Sequence, residues 1–234
     1  MEGNERFVRG EARFPTVQKE LLAELAKAQH PYATILGCSD SRVPPELIFD
    51  AGFGELFIVR VAGNVISPEV LGSLQYAALH LRTKLFVVLG HEGCGAVDAA
   101  LAGIRGADQQ PARIAALLEN ITPGLRDIPA GLDTIAAIRA GVDANVRWSM
   151  RQLLEIPEVK ARKIASRALL VGAVYELETG RVRILDTVTL EPAAARFRAR
   201  TRRRPGPPRL DPGDQGRGSG GGGTVVAGSG KFPL

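Results

Sequence analysis

Apolar residues in the middle of this chain come in short continuous runs rather than in alternation. Tyr32–Leu36, Leu56–Val61 and Leu85–Leu89 are each bounded by Gly, Pro or polar residues. Runs of that length, broken only by Thr34 and Arg60, predict strands buried on both faces of a sheet, which in turn implies parallel pairing with helical crossovers. Between the second and third runs, Ser67-Pro68-Glu69 reads as an N-cap followed by proline in the first helical turn. Val70, Leu71, Leu74, Ala78 and Leu81 then recur at helical spacing.

Further helices are predicted over 4–10, 16–29, 95–103 and 133–155, with another near Ala112–Ile121 inside a less regular stretch, 105–131. Val17, Leu21, Leu22, Leu25 and Ala28 form a stripe on the 16–29 helix that must find cover on the body or on a neighbouring subunit. Ile135, Ile138, Val142, Val146, Met150 and Leu153–Leu154 form the expected buried side of the long helix. Ala168–Tyr175 predicts one more strand, and Thr179-Gly180 turns it into an antiparallel partner, Val182–Leu185. The expected fold is α/β: a mainly parallel sheet flanked by helices, with an N-terminal helical arm and an antiparallel edge hairpin.

Composition changes this picture in one place. From residue 192 onward nine Lys/Arg face two Asp/Glu, whereas residues 1–191 hold 21 basic and 23 acidic side chains. The basic excess therefore belongs to the tail and not to the folded body, which argues against a nucleic-acid-binding domain. The Arg-rich then Gly/Pro-rich stretch 192–234 has too little apolar surface to order itself and is expected to be disordered, leaving 1–191 as the domain. No run reaches the ~18 apolar residues of a membrane span. The first residues have neither a basic start nor an apolar core, so a signal peptide is not indicated and a cytoplasmic location is expected.

Chemistry concentrates at the ends of two predicted strands. Cys38-Ser39-Asp40-Ser41-Arg42 follows the first, and Gly90-His91-Glu92-Gly93-Cys94-Gly95 follows the third. The chain has two cysteines, one in each motif. Two thiolates and an imidazole suit Zn2+, with His91-x-x-Cys94 as a local chelate closed by Cys38. A structural zinc site usually has four protein ligands, so the fourth position here is left to water, substrate or Asp40. Asp40 and Arg42 lie two apart and share a face of an extended segment. In that reading Arg42 keeps Asp40 ionised and away from the metal, and Asp40 orients the attacking water or hydroxide. Released from Arg42, Asp40 would close the site as fourth ligand. His30 and His80 sit at helix ends and are expected to be structural or solvated. Gly90, Gly93 and Gly95 are expected where side chains would obstruct the metal loop and the helix behind it.

The two motifs together resemble the β-class carbonic anhydrases of bacterial type. The likeness extends to Gly3-Asn4-Glu5-Arg6-Phe7, Arg60-Val61-Ala62-Gly63-Asn64, Gly72-Ser73-Leu74-Gln75-Tyr76 and Val171–Gly180, spanning roughly residues 3–187. The resemblance implies zinc on Cys38, His91 and Cys94, with Asp40 and Arg42 as a catalytic dyad. It implies reversible hydration of CO2 to bicarbonate, a carbonate dehydratase (lyase) activity. It also implies N-terminal helices wrapped on a partner, hence a homodimer or homotetramer. Three positions depart from the family pattern. Gly52 stands where the plant-type branch has a pocket glutamine, and Ile35 where some bacterial members carry a tryptophan of an inhibitory bicarbonate site. Glu92 stands where serine is usual. Two other readings remain open at this stage: a CS2 or COS hydrolase of the same fold, and a zinc-stabilised structural protein without turnover. A purely structural site has no use for the Asp40–Arg42 dyad.

Overall fold

The computed structural model describes residues 1–13, 19–107, 110–160 and 167–191. Its five-stranded sheet is built out from β1 (Ala33–Gly37), every residue of which is buried. It pairs in parallel with β2 (Leu56–Arg60) on one side and β3 (Leu85–His91) on the other. β4 (Ala168–Tyr175) extends the parallel sheet beside β3, and β5 (Val182–Leu190) closes the edge as an antiparallel strand. The strand order is β2-β1-β3-β4-β5. The chain leaves β1 toward one side for β2 and crosses to the other for β3, so the order reverses at β1/β3. In open α/β sheets, ligands collect in the crevice at the C-terminal ends of strands at such a reversal. Cys38 follows β1 at that point, and His91 ends β3.

One face of the sheet is covered by α4 (Pro68–Tyr76), α5 (Gly95–Ile104) and the long α8 (Thr134–Leu154), with α6 (Ala112–Leu118) and α7 (Thr122–Leu125) outside them. Leu36, Val88, Leu170 and Val174 pack there against Val97, Leu101, Val142, Val146 and Met150. The starts are set by capping: Ser67 Oγ accepts from Val70 N, and Asp133 Oδ1 accepts from Ala136 N at 2.8 Å. α4 runs on into a π-helical turn, Ala77–Leu81, stopped by Arg82 in the left-handed region at φ 56°.

The opposite face, with Ile35, Val87, Leu89 and Val171, meets Val43 and Ile48 beside the short α1 (Glu2–Val8) and α3 (Pro45–Ile48). α1 is held by Asn4, which is buried and has its amide satisfied. Its Nδ2 donates to Ile48 O (3.1 Å) and Gly180 O (2.8 Å), and its Oδ1 accepts from Val182 N (2.9 Å). Gly3 beside it lies so near the Phe49 carbonyl that a Cβ there would collide with it. Asp50, itself at φ 49°, is bridged by Arg6 Nε and accepts from Arg13 N at 2.7 Å. Burial alone would raise its carboxyl, but those hydrogen bonds outweigh it and the group sits below its ordinary value. Asn4→Ala would strand one buried donor and two acceptors in two separate segments, at Ile48 and at the Gly180–Val182 turn. We expect a loss of at least about 2 kcal/mol, read as a lower denaturant midpoint at unchanged slope.

Several expectations shift in detail. The first helix spans Glu2–Val8 rather than 4–10, with Gly10 at φ 73° beyond its end. The second, expected over 16–29, is α2 (Lys19–Leu25), and Val17 lies outside the described residues. α2 buries none of its residues, and among the described residues its apolar stripe finds little cover: Leu21 and Leu22 are exposed and Leu25 is only half-buried against Gly54. Ile135, expected in the core, is 77% exposed, although Ala137 in the same turn of α8 is fully buried. β3 runs two residues past the predicted end because Gly90 and His91 keep pairing with Val174 and Tyr175. β5 continues to Leu190, through a register shift opposite Gly172/Ala173. The expected disorder of 192–234 lies outside the described residues.

Candidate metal centre

Cys38, His91 and Cys94 come together, all three buried, with their ligand atoms within 4.8 Å of one another. Among the described residues no other such His/Cys/Asp/Glu group is found. His30 and His80 do not join it; His80 is exposed and stacks on Tyr76 at 4.9 Å between ring centroids.

Each donor is aimed by a different element. His91 is the last residue of β3, and its Nδ1 bonds Glu92 O at 2.8 Å. That contact assigns the proton to Nδ1 and leaves Nε2 bare. Nε2 is buried and has no hydrogen-bond partner. Cys94 is the N-cap of α5, at a helix start, which favours a thiolate. The tight turn between the two passes through Gly93 at φ 60°. At Gly90 a Cβ would come within 2.6 Å of Val146 Cγ2, whereas at Gly95 it would meet nothing within 4 Å. The crowding expected at these glycines is therefore present at Gly90 and absent at Gly95.

Cys38 faces Cys94. The hydrogen bond from the Cys94 thiol is the main cause that pulls Cys38 well below its ordinary value against the effect of burial; the backbone N–H groups of Asp40 and Gly63 add to it. Cys94 is pushed up in turn, because it must keep its proton to donate to Cys38 and because it is buried. The two sulfurs thus hold one proton between them. A divalent cation would replace that proton and let both ionise. Two such sulfurs and an orphaned imidazole nitrogen in a buried cluster fit zinc.

Asp40 stands at the rim of this cluster. Its Oδ2 lies 3.7 Å from His91 Nε2. Arg42 grips it with two parallel bonds, Nε to Oδ1 at 3.0 Å and Nη2 to Oδ2 at 2.8 Å, while Arg42 N donates to Oδ1 at 2.9 Å. The Arg42 guanidinium holds the Asp40 carboxyl well below the usual carboxylate range. Ser39 and Ser41 are exposed members of the turn closed by Val43 N on Asp40 O.

Sequence reasoning gave no role to three residues that shape this loop. Arg60, at the end of β2, donates from Nε to Cys38 O (2.9 Å) and from Nη2 to Asp40 O (2.6 Å). Gly63 N donates to Cys38 Sγ at 3.3 Å from a backbone at φ 67°. Asn145 on α8 donates from Nδ2 to Gly63 O at 2.8 Å. The only sequence signal was the Arg60–Asn64 motif itself. Glu92, the charge beside the cluster, turns away from it. One oxygen accepts from Leu177 N at 3.2 Å and the other faces Arg139 at 3.4 Å.

A mainly parallel α/β sheet with a Cys-His-Cys cluster at its reversal point defines a class of metal-binding α/β proteins. Comparison with known proteins narrows this. A sequence model of the carbonic anhydrase family matches residues 33–182. Carbonic anhydrase 2 of Mycobacterium tuberculosis is 38% identical over 188 residues, covering 80% of this chain and 90% of that protein. The carbonic anhydrase of Mycolicibacterium smegmatis is also 38% identical, over 78% of this chain and 88% of its own. Among solved structures, the Coccomyxa β-carbonic anhydrase in complex with acetazolamide superposes with a TM-score of 0.65 at 27% identity, over 80% of this chain and 85% of that one. The Aspergillus fumigatus β-carbonic anhydrase CafA gives 0.62 at 29% identity, over 71% and 81%. The chain belongs to the β-carbonic anhydrase family.

Proposed function

We propose that this protein catalyses the reversible hydration of CO2 to bicarbonate and a proton, with zinc held by Cys38, His91 and Cys94. The observation that carries this reading is the bare, buried Nε2 of His91 set between two thiols, with an ionised carboxylate 3.7 Å away. Bound zinc would supply a Lewis acid that lowers the pKa of water from 15.7 to about 7–9, toward the upper part because two thiolates donate strongly.

The chain's own residues do the rest. Asp40, kept ionised by Arg42, accepts a hydrogen bond from the attacking water and turns a lone pair of its oxygen toward the carbon of CO2. The Arg42 fork keeps both carboxylate oxygens engaged, so Asp40 would be held off a metal bound by Cys38, His91 and Cys94 instead of closing the site as its fourth ligand. Arg60 fixes the carbonyls of Cys38 and Asp40, which sets the distance between sulfur and carboxylate. The proton released on hydration passes to buffer. A side-by-side assay of CO2 hydration and COS hydrolysis on the purified protein tests this. CO2 turnover far above background, with COS slower, is the expected result, and COS turnover alone would refute it.

Assembly as a homodimer or homotetramer is supported by α2, whose Leu21 and Leu22 are exposed and find no cover among the described residues. We expect light scattering to give at least twice the 24.9 kDa chain mass, and a monomer at micromolar concentration would contradict it. Residues 1–191 form the catalytic body in this reading. The two free thiols suit a reducing compartment and hence the cytoplasm. No helix among the described residues is long and apolar enough to cross a membrane.

A further inference from the structure

α8 carries two buried polar side chains one turn apart, Asn145 and Ser149, beside Val142, Val146 and Met150. Both reach the turn that follows β2. Asn145 Nδ2 donates to Gly63 O at 2.8 Å, and Ser149 Oγ donates to Asn64 O at 3.1 Å. Gly63, whose carbonyl Asn145 holds, is also the residue whose own N–H points at Cys38 Sγ, 3.3 Å away. Gly63 holds φ 67° there, and a Cβ would come within 2.6 Å of Ile121 Cδ1. Glycine moves readily between positive and negative φ, so the backbone by itself does not keep that N–H aimed.

Core packing alone does not account for Asn145. It is 1% exposed, and its Oδ1 has no hydrogen-bond partner. A buried amide with an unmet acceptor is unfavourable, and an apolar side chain of similar size would avoid the loss. What the amide does provide is a fixed anchor for Gly63. We propose that Asn145 is a positioning residue for Cys38. It locks Gly63 in its left-handed conformation, so that the Gly63 N–H bonds the Cys38 sulfur and sets that thiolate's direction and donor strength toward the metal. Ser149 supports the same turn one residue later. The inference rests on Cys38 being a metal ligand. A partner of this kind outside the ligand set commonly governs metal affinity by 10–100-fold.

Zn2+ affinity by chelator competition and the sulfur-to-Co2+ charge-transfer band test this on the full-length protein. Asn145→Ala is expected to weaken zinc binding by about 10–100-fold and to move the band to longer wavelength, since a thiolate without its N–H partner gives up electron density more easily. Leu153→Ala, a core truncation at the far end of α8, should lower the melting temperature and leave both metal readouts as in the parent. If Asn145→Ala fails to fold, Ser149→Ala removes the neighbouring bond with little loss of volume and should shift the same readouts in the same direction, to a smaller extent. Zinc affinity and band position identical to the parent in whichever of these variants folds would overturn the inference, as would an equal shift in Leu153→Ala. A parent protein that takes up neither metal would instead overturn the metal assignment and, with it, the inference.

Discussion

Replacing Cys94 by alanine is expected to strip zinc from the protein and to cut CO2 hydration by at least about 10³-fold, because the acidified water that drives the reaction is lost with the metal. A catalytic zinc normally needs three protein ligands, and the variant keeps only Cys38 and His91. The fold should survive. Cys94 is the N-cap of α5, but it caps with its backbone geometry and makes no side-chain capping bond. The surrounding core of Val97, Leu101, Val142 and Val146 is untouched. Far-UV circular dichroism close to that of the parent, together with metal below one-tenth of the parent's content, is the result the geometry requires. Full zinc occupancy in Cys94→Ala would remove Cys94 from the ligand set.

Asp40→Asn separates the dyad from the ligands. The variant should retain zinc and lose activity by about 10²–10⁴-fold, the usual contribution of a positioned acid–base group. Asparagine matches the carboxylate in shape, but it presents an amide N–H₂ in place of one acceptor oxygen. The water's proton then has no anionic partner, and the Arg42 fork loses one of its two bonds. The sign with pH follows from the depressed carboxyl. Arg42 holds the Asp40 carboxyl below its ordinary value, so Asp40 is ionised throughout the range above pH 5 and contributes no inflection there. Arg42→Ala removes the cause of the shift, so the Asp40 carboxyl rises toward its ordinary value and an acid limb should move up in pH. It also frees Asp40 to close the site as a fourth metal ligand, which should lower activity at neutral pH with zinc retained. Wild-type turnover in Asp40→Asn would leave Asp40 without a role.

How much of this could be read from the sequence depends on sequence distance. The strands β1 and β3 were legible because continuous apolar runs have few other uses, and the cluster was legible because each motif follows its strand directly. Thr134–Leu154 was legible from helical spacing, but the exposure of Ile135 was not: periodicity finds the face of a helix, not which residues on it find a neighbour to cover them. The roles of Arg60, Gly63 and Asn145 were hidden for another reason. Arg60 and Gly63 reach Cys38 across 22 and 25 residues and Asn145 reaches Gly63 across 82, and no local pattern marks a carbonyl as the target of an amide on a distant helix. Asn4 is similar. Its place near the chain's start says nothing of Gly180 or Val182, which it joins to α1. Glu92 was ambiguous in sign until Leu177 N and Arg139 fixed where its charge points.

The central claim is that this Cys-His-Cys cluster holds a zinc on which hydration of CO2 depends. Metal titration of the apoprotein, with zinc measured per chain and stopped-flow CO2 hydration followed on the same samples, tests it most directly. Activity should rise in proportion to zinc and level off near one zinc per chain. Turnover that is already full without metal, or one zinc per chain with no turnover at any pH from 7 to 9, would contradict it.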